Sequence, residues 1–172
     1  MPISMRALSL QSGSNGNCIY VETAGMGLVF DAGISGIQAE RRLRRRGLDI
    51  RGARCLFISH DHGDHVRCAG VYQRKYGLPV YVTRKTLAAA LRWHDLGRLE
   101  DIRFFRAGGR ISLGGVTVET VPTKHDGADG VGFVVDDGLS RLGILTDLGH
   151  PFRGLEKVLS TLDAVFLESN YD

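Results

Sequence analysis

Apolar residues in this chain come in short runs, and polar or glycine-rich stretches cut the runs off abruptly. Residues 7–10, 18–22 and 27–31 read as three strands, the first two joined by the turn 12–17, which is rich in Ser, Gly and Asn. Residues 35–47 predict a helix, with Ser35 as its N-cap and Gly47 as its stop. The run 55–59 predicts a buried strand, 65–76 a helix ending at Gly77, 79–82 a strand and 83–94 another helix. Strands follow at 102–105 and 116–121, joined through a turn around Gly108, Gly109, Gly114 and Gly115. Residues 131–135 and 142–146 predict a hairpin around Asp136-Asp137-Gly138, and a helix over 154–161 leads into a strand at 164–167. Strands interleaved with helices predict an α/β fold, and 172 residues without repeats or low-complexity stretches predict one domain, 1–172.

The densest chemistry lies where the fourth strand gives way to its loop. Cys55-Leu56-Phe57-Ile58-Ser59 ends in His60-Asp61-His62-Gly63-Asp64-His65, three histidines and two aspartates in six positions. In extended chain, His60 and His62 point the same way, while Gly63 lets the backbone turn before Asp64 and His65. The two pairs can therefore face two neighbouring ions, and imidazole with carboxylate suits Zn, Mn or Fe. A closed structural zinc site is disfavoured, because no two of Cys18, Cys55 and Cys68 have ligand spacing.

His125 and Asp147 also sit just past predicted strand ends; His125 is the natural third imidazole, and the two oxygens of Asp147 can bridge a pair of metals. Asp31 ends an apolar run as either a helix cap or a carboxylate that takes a histidine's second N–H. Asp61 reads as a supporting or salt-bridging residue. His150 is a surface residue or a neighbour of the substrate, and His94, at a helix end, is structural. The turn bearing Ser12, Ser14, Asn15 and Asn17 is either a plain hairpin loop or a phosphate cradle.

His60-x-His62-x-Asp64-His65 resembles the HxHxDH signature of the metallo-β-lactamase superfamily. Ser12-Gly13-Ser14-Asn15-Gly16-Asn17, Phe30-Asp31-Ala32-Gly33, Thr146-Asp147 and Glu168-Ser169-Asn170 narrow the resemblance to the small bacterial nucleases of the YycJ or WalJ group. The resemblance implies an αββα sandwich, present here as the first half plus the beginning of the second. It implies a metal-dependent hydrolase with two divalent ions, Zn foremost and Mn or Fe as alternatives. His60, His62 and His125 would hold one ion, Asp64 and His65 the other, with Asp147 bridging and Asp64 orienting the attacking water. It places the Ser12–Asn17 turn beside the metals and favours Asp31 as a support for a ligand histidine. The superfamily's further histidine from a later Gly-His segment has no counterpart, and Tyr171 stands where related nucleases often have histidine. The expected substrate is DNA or RNA. A thioester, lactone or β-lactam hydrolase, and a metal-binding fragment inactive without a completing partner, are the alternatives.

Composition changes this picture little. Hydrophobic content of 43% and charged content of 24% suit a globular protein, and no apolar run approaches a membrane span. The start lacks a secretory pattern, and three cysteines in or beside apolar segments read as buried thiols in a reducing cytoplasm. A net charge of +3 is too small to argue for nucleic acid, but its distribution is uneven. Arg41, Arg42, Arg44, Arg45 and Arg46, with Arg51 and Arg54 behind, form either a solvated helix face or a phosphate-tracking patch. The apolar Ala164-Val165-Phe166-Leu167 reads as a strand that calls for cover on both faces; its apolar surface and edge are expected to be left open and to recruit a second copy or a completing C-terminal partner.

Overall fold

A computed structural model describes residues 5–167; Glu168-Ser169-Asn170 and Tyr171 lie outside the described residues. Two sheets face each other. The first has the order β1 (Arg6–Gln11), β2 (Cys18–Thr23), β3 (Met26–Phe30), β4 (Ala53–Phe57), β5 (Val80–Val82), β6 (Ile102–Phe104). Its first three strands are antiparallel, and β3 through β6 run parallel. Helices α1 (Gly36–Arg44), α2 (Gly63–Val66), α3 (Ala69–Tyr76) and α4 (Arg84–Trp93) lie in the connections between its strands. The second sheet contains β7 (Arg110–Leu113), β8 (Val116–Pro122), β9 (Val131–Asp136), β10 (Arg141–Leu145) and β11 (Ala164–Leu167), with α5 (Leu155–Leu159) in the β10–β11 crossover. No helix among the described residues is long and apolar enough to cross a membrane.

Strand alternation splits the core in two. In β4, Leu56 and the following Ile58 face the helices, joining Ala39 and Leu43 of α1, Tyr72 of α3 and Ala90 of α4. Cys55 and Phe57 face the second sheet, joining Phe30, Val118, Phe133 and Ile144. The Phe30, Phe57 and Phe133 rings meet at centroid distances of 5.1 to 5.6 Å, where offset and tilted aromatic pairs are attractive. This aromatic knot lies directly beneath the ends of β3 and β4. Parallel strands β3 and β4 finish at the same edge, where α/β sheets place ligands.

The helix signals at α1 hold in detail. Ser35 accepts from the Gln38 N–H and Gln38 reaches back to the Ser35 N–H, a capping box. The predicted helix over 65–76 is instead two helices. The break falls at Cys68, whose N–H leaves the helical ladder to reach the Ala32 carbonyl at 2.9 Å. Cys68 is consequently only half-buried, whereas Cys18 and Cys55 are buried, and burial pushes both of those thiols up to about 12. The glycine-rich stretch after 105 conceals β7, whose alternating Arg110-Ile111-Ser112-Leu113 pairs with β8. As a result, 102–105 and 116–121 lie in different sheets and form no hairpin. The open apolar edge expected at the last strand is present among the described residues. β11 is the edge of its sheet; Phe166 turns into the core while Val165 and Leu167 are 40% and 48% exposed.

Phe133→Ala should remove about 3–5 kcal/mol of stability, because its ring bridges both sheets. Urea unfolding measures this, and a loss under about 1 kcal/mol would show that the sandwich does not depend on that knot.

Candidate metal centre

The site grows out of two strand ends that leave regular geometry at an aspartate. Asp31 follows β3 with φ 63°, and Asp147 comes two residues after β10 with φ 55°. Positive φ is uncommon outside glycine and clusters where side chains must be aimed. The Asp31 carboxylate is buried and fully used. Oδ1 accepts from the Ser59 N–H at 2.8 Å, while Oδ2 accepts from the Ser59 hydroxyl at 2.8 Å and from His65 Nδ1 at 2.7 Å. Asp31 is therefore no helix cap, since Ser35 caps α1; its carboxylate takes the N–H of a histidine instead.

Ser59 extends this chain. Its hydroxyl donates to Asp31 and lies 2.9 Å from His60 Nδ1, so His60 donates its Nδ1 proton to Ser59 and presents a bare Nε2. That Nε2 is buried and has no hydrogen-bond partner among the described residues. An orphaned buried nitrogen is costly unless something binds it. One donor atom each from His60, His62 and His125 lies within 4.8 Å of the others, and the same holds for His60, His65 and Asp147. His125 Nε2 approaches His62 Nδ1 to 3.2 Å. The two oxygens of Asp147 diverge: Oδ2 is 3.1 Å from His65 Nε2, and Oδ1 is 4.0 Å from His125 Nε2. These residues fit a divalent metal, by the orphaned nitrogen and by the imidazole–carboxylate donor set.

Electrostatics point the same way. Burial, reinforced by the neighbouring His65 charge, pushes His60 down to about 4. Burial also opposes charge on His65, but Asp31 and Asp147 outweigh it and carry His65 up to about 10. Burial resists ionisation of Asp147, yet the His65 bond and charge hold its carboxyl below the usual range.

The remaining sequence candidates separate clearly. Asp64 lies outside both donor groups, at the rim of the cleft, with Oδ2 3.5 Å from His65 Nε2 and 3.0 Å from Asn17 Nδ2. Asp61 braces the loop that carries His125, accepting from the Ala128 N–H at 2.8 Å. Ser12, Ser14 and Asn17 line a cleft of about 800 Å³ with Asp31, Asp64 and Asp147. Asn15 does not line it; its carbonyl accepts from Arg67 at 2.6 Å. His150 is exposed and belongs to neither donor group. His94 is structural but does not serve its own helix end, since its Nε2 meets the Asp61 carbonyl at 3.2 Å. The arginine cluster gathers at the far end of α1, roughly 12 Å along the helix from its start beside the site. Arg42 is tied to the Leu10 carbonyl, while Arg44 and Arg51 pair with Glu40. Sequence reasoning missed Ser59, although it adjoins His60, and Asp126, which stands 3.1 Å from His125 and 3.5 Å from His62.

Fold and site together define a two-sheet α/β sandwich with a histidine–aspartate centre at its strand ends. The chain belongs to the metallo-beta-lactamase superfamily, whose family model matches residues 12–165. It is 34% identical over 165 residues to exodeoxyribonuclease YycJ of Bacillus anthracis, covering 95% of this chain and 62% of that protein. Exodeoxyribonuclease WalJ of Streptococcus pneumoniae is 30% identical over 167 residues, with 95% and 61% covered. The chain thus spans under two thirds of the length of these curated relatives. Among solved structures, the metallo-beta-lactamase fold protein YhfI from Bacillus subtilis superposes with a TM-score of 0.70 at 13% identity, covering 94% of this chain and 70% of that one.

Asp31→Ala should weaken zinc binding about 10- to 100-fold while the chain still folds, since it orients His65 directly and His60 through Ser59. Zinc titration checks this, and unchanged affinity would reduce Asp31 to a strand tie. In the chelator-stripped chain, the stability from charged His65 is complete below 6.5 and vanishes as pH rises through about 10. The neutrality of His60 is favourable above 6.5 and is lost as pH falls toward about 4. The melting temperature should therefore peak near pH 6.5, and a monotonic profile would contradict this balance.

Proposed function

We propose that this chain is a metal-dependent hydrolase cleaving phosphodiester bonds in DNA or RNA, as an exonuclease-type phosphodiesterase. One observation carries the reading. Asn17, from the Ser12–Asn17 turn, lies within hydrogen-bond distance of both Asp64 and His65, at 3.0 and 2.9 Å. A turn rich in hydroxyls and amides is thereby fastened to the metal centre, where a phosphate would need them. The exodeoxyribonuclease names of YycJ and WalJ support the same reading.

His60, His62 and His125 would hold one divalent ion, His65 and Asp64 the other, and Asp147 would reach both. Zinc suits these donors best, with manganese or iron on the same chemistry. When bound, the ions supply a water acidified to a nucleophile near neutral pH and positive charge against the phosphate oxygens. The chain's own residues do the rest. Asp31 and Ser59 aim the imidazoles, Asp64 faces the cleft to orient the attacking water, and Ser12, Ser14 and Asn17 hold the phosphate. Asp61 keeps the His125 loop in place. The three free cysteines support a cytoplasmic address.

A second reading, hydrolysis of a thioester, lactone or β-lactam, draws on the apolar side of the same cleft, formed by Ile19, Phe166 and Leu167. Salt separates the two, because phosphate-driven binding weakens steeply as salt rises and ester turnover does not. The open flank at Val165 and Leu167 supports a covering segment or a second copy, read by the concentration dependence of light scattering.

His60→Ala should abolish hydrolysis of bis(p-nitrophenyl) phosphate and of DNA and lower metal content, because both donor groups include His60. Full activity in that variant would remove His60 from the centre.

A further inference from the structure

Helix α4 is fastened at both ends to the loops that carry the metal centre. At its start, the Thr86 hydroxyl donates to the Asp129 carbonyl at 3.5 Å, in the loop after His125. At its end, His94 meets the Asp61 carbonyl at 3.2 Å, and its ring is so close to Gly63 that a Cβ there would stand 2.9 Å from Cε1. The helix therefore flanks the mouth of the site. Its exposed positions Arg84, Lys85, Ala88, Leu91 and Arg92 follow the three- and four-residue spacing of one face, and the helix contains no acidic residue. Beneath the turn that follows, the Arg74 guanidinium spends two hydrogen bonds on neutral backbone carbonyls, those of Leu96 and Arg98. Asp95, in that turn, accepts from the Gly97 N–H.

At the last turn of α4, next to Arg92 and about 100° around the helix from it, stands Trp93, the chain's only tryptophan, 78% exposed. A large aromatic side chain left in water is informative, since indole gains strongly from burial. Cations along a track with an aromatic platform at its end is the pattern that holds single-stranded nucleic acid: the cations follow phosphates and the ring stacks on a base of any sequence. Charge decides against an apolar protein partner, because Arg84, Lys85 and Arg92 would be stranded against it.

We propose that the exposed face of α4 and Trp93 form a single-stranded nucleic-acid track, with Trp93 stacking on a base of the strand whose backbone enters the metal centre. The inference rests on the nuclease reading and adds to it the strandedness of the substrate at the mouth and the residue that grips it. The charge of Arg84 remains available, although its guanidinium lies 4.1 Å from the Phe104 ring centroid.

Because Trp93 is the sole tryptophan, its fluorescence reports the contact directly. A phosphorothioate oligothymidylate, which resists cleavage, is titrated into the metal-loaded 172-residue chain with anisotropy of a labelled copy followed in parallel. Quenching that saturates with binding is expected. Trp93→Ala should weaken that binding about 5- to 100-fold with little sequence preference, and Trp93→Phe should restore most of it. Both variants should keep wild-type turnover of bis(p-nitrophenyl) phosphate, a substrate too small to reach the track. Binding without quenching, or equal affinity in Trp93→Ala, overturns the inference while leaving the nuclease reading intact. Quenching without any phosphodiester hydrolysis upholds the track and removes the nuclease reading. A change from dimer to monomer in Trp93→Ala with unaltered oligonucleotide affinity assigns Trp93 to contact between copies and overturns the inference.

Discussion

The carboxylate of Asp31 is the constraint on which the rest of the centre depends. It is buried between two parallel strand ends and accepts three hydrogen bonds, two from Ser59 and one from His65. A buried anion is tolerable only when its lone pairs are met by such donors. Those same donors are the groups whose orientation matters. Asp31 thus couples β3 to β4, sets the protonated nitrogen of His65 and, through Ser59, leaves His60 Nε2 bare. The aromatic knot of Phe30, Phe57 and Phe133 supports the platform from below. Strand packing and imidazole aim are therefore one problem with one solution.

The histidine cluster was legible because the pattern changes so sharply there. An apolar strand that runs into three imidazoles and two carboxylates makes little physical sense without a cation for them to share, and His125 and Asp147 repeat the strand-end placement. The interleaving of strands with helices and the Ser35 cap of α1 were legible for similar local reasons. What escaped was set by distant contacts. The break at Cys68 answers to the Ala32 carbonyl, thirty-odd residues away in sequence. The short strand β7 was hidden by its flanking glycines. Asp64 stands at the rim with Asn17 because the turn 12–17 folds over it, a contact no spacing rule reveals.

Charge gave the clearest contrast between composition and placement. Five arginines within six positions drew attention to α1, yet the fold sets two of them, Arg42 and Arg44, to hold the Leu10 carbonyl and Glu40. Helix α4 has three cations and looks unremarkable in the sequence. It acquires meaning because Thr86 and His94 fasten it beside the ligand loops.

The turn over the centre is stitched by main-chain atoms. The Asn17 N–H reaches the Asp64 carbonyl at 2.7 Å, the Gly33 N–H reaches the Asn17 carbonyl at 2.9 Å, and the Ala32 N–H reaches the His65 carbonyl at 2.7 Å. Gly33 makes this seam close, since a Cβ there would fall 1.7 Å from the Asp64 carbonyl oxygen. The shape of the turn rests on these main-chain bonds and on the Asn17 side chain, whose Oδ1 accepts from the Gly13 N–H at 3.0 Å, rather than on Ser12 or Ser14. Ser12 and Ser14, which line the cleft, can therefore change and retune which molecules are accepted, while the register of the turn over the centre is kept. Selectivity and scaffold are separable heritable traits in this corner of the molecule, with Gly33 the residue that keeps them so.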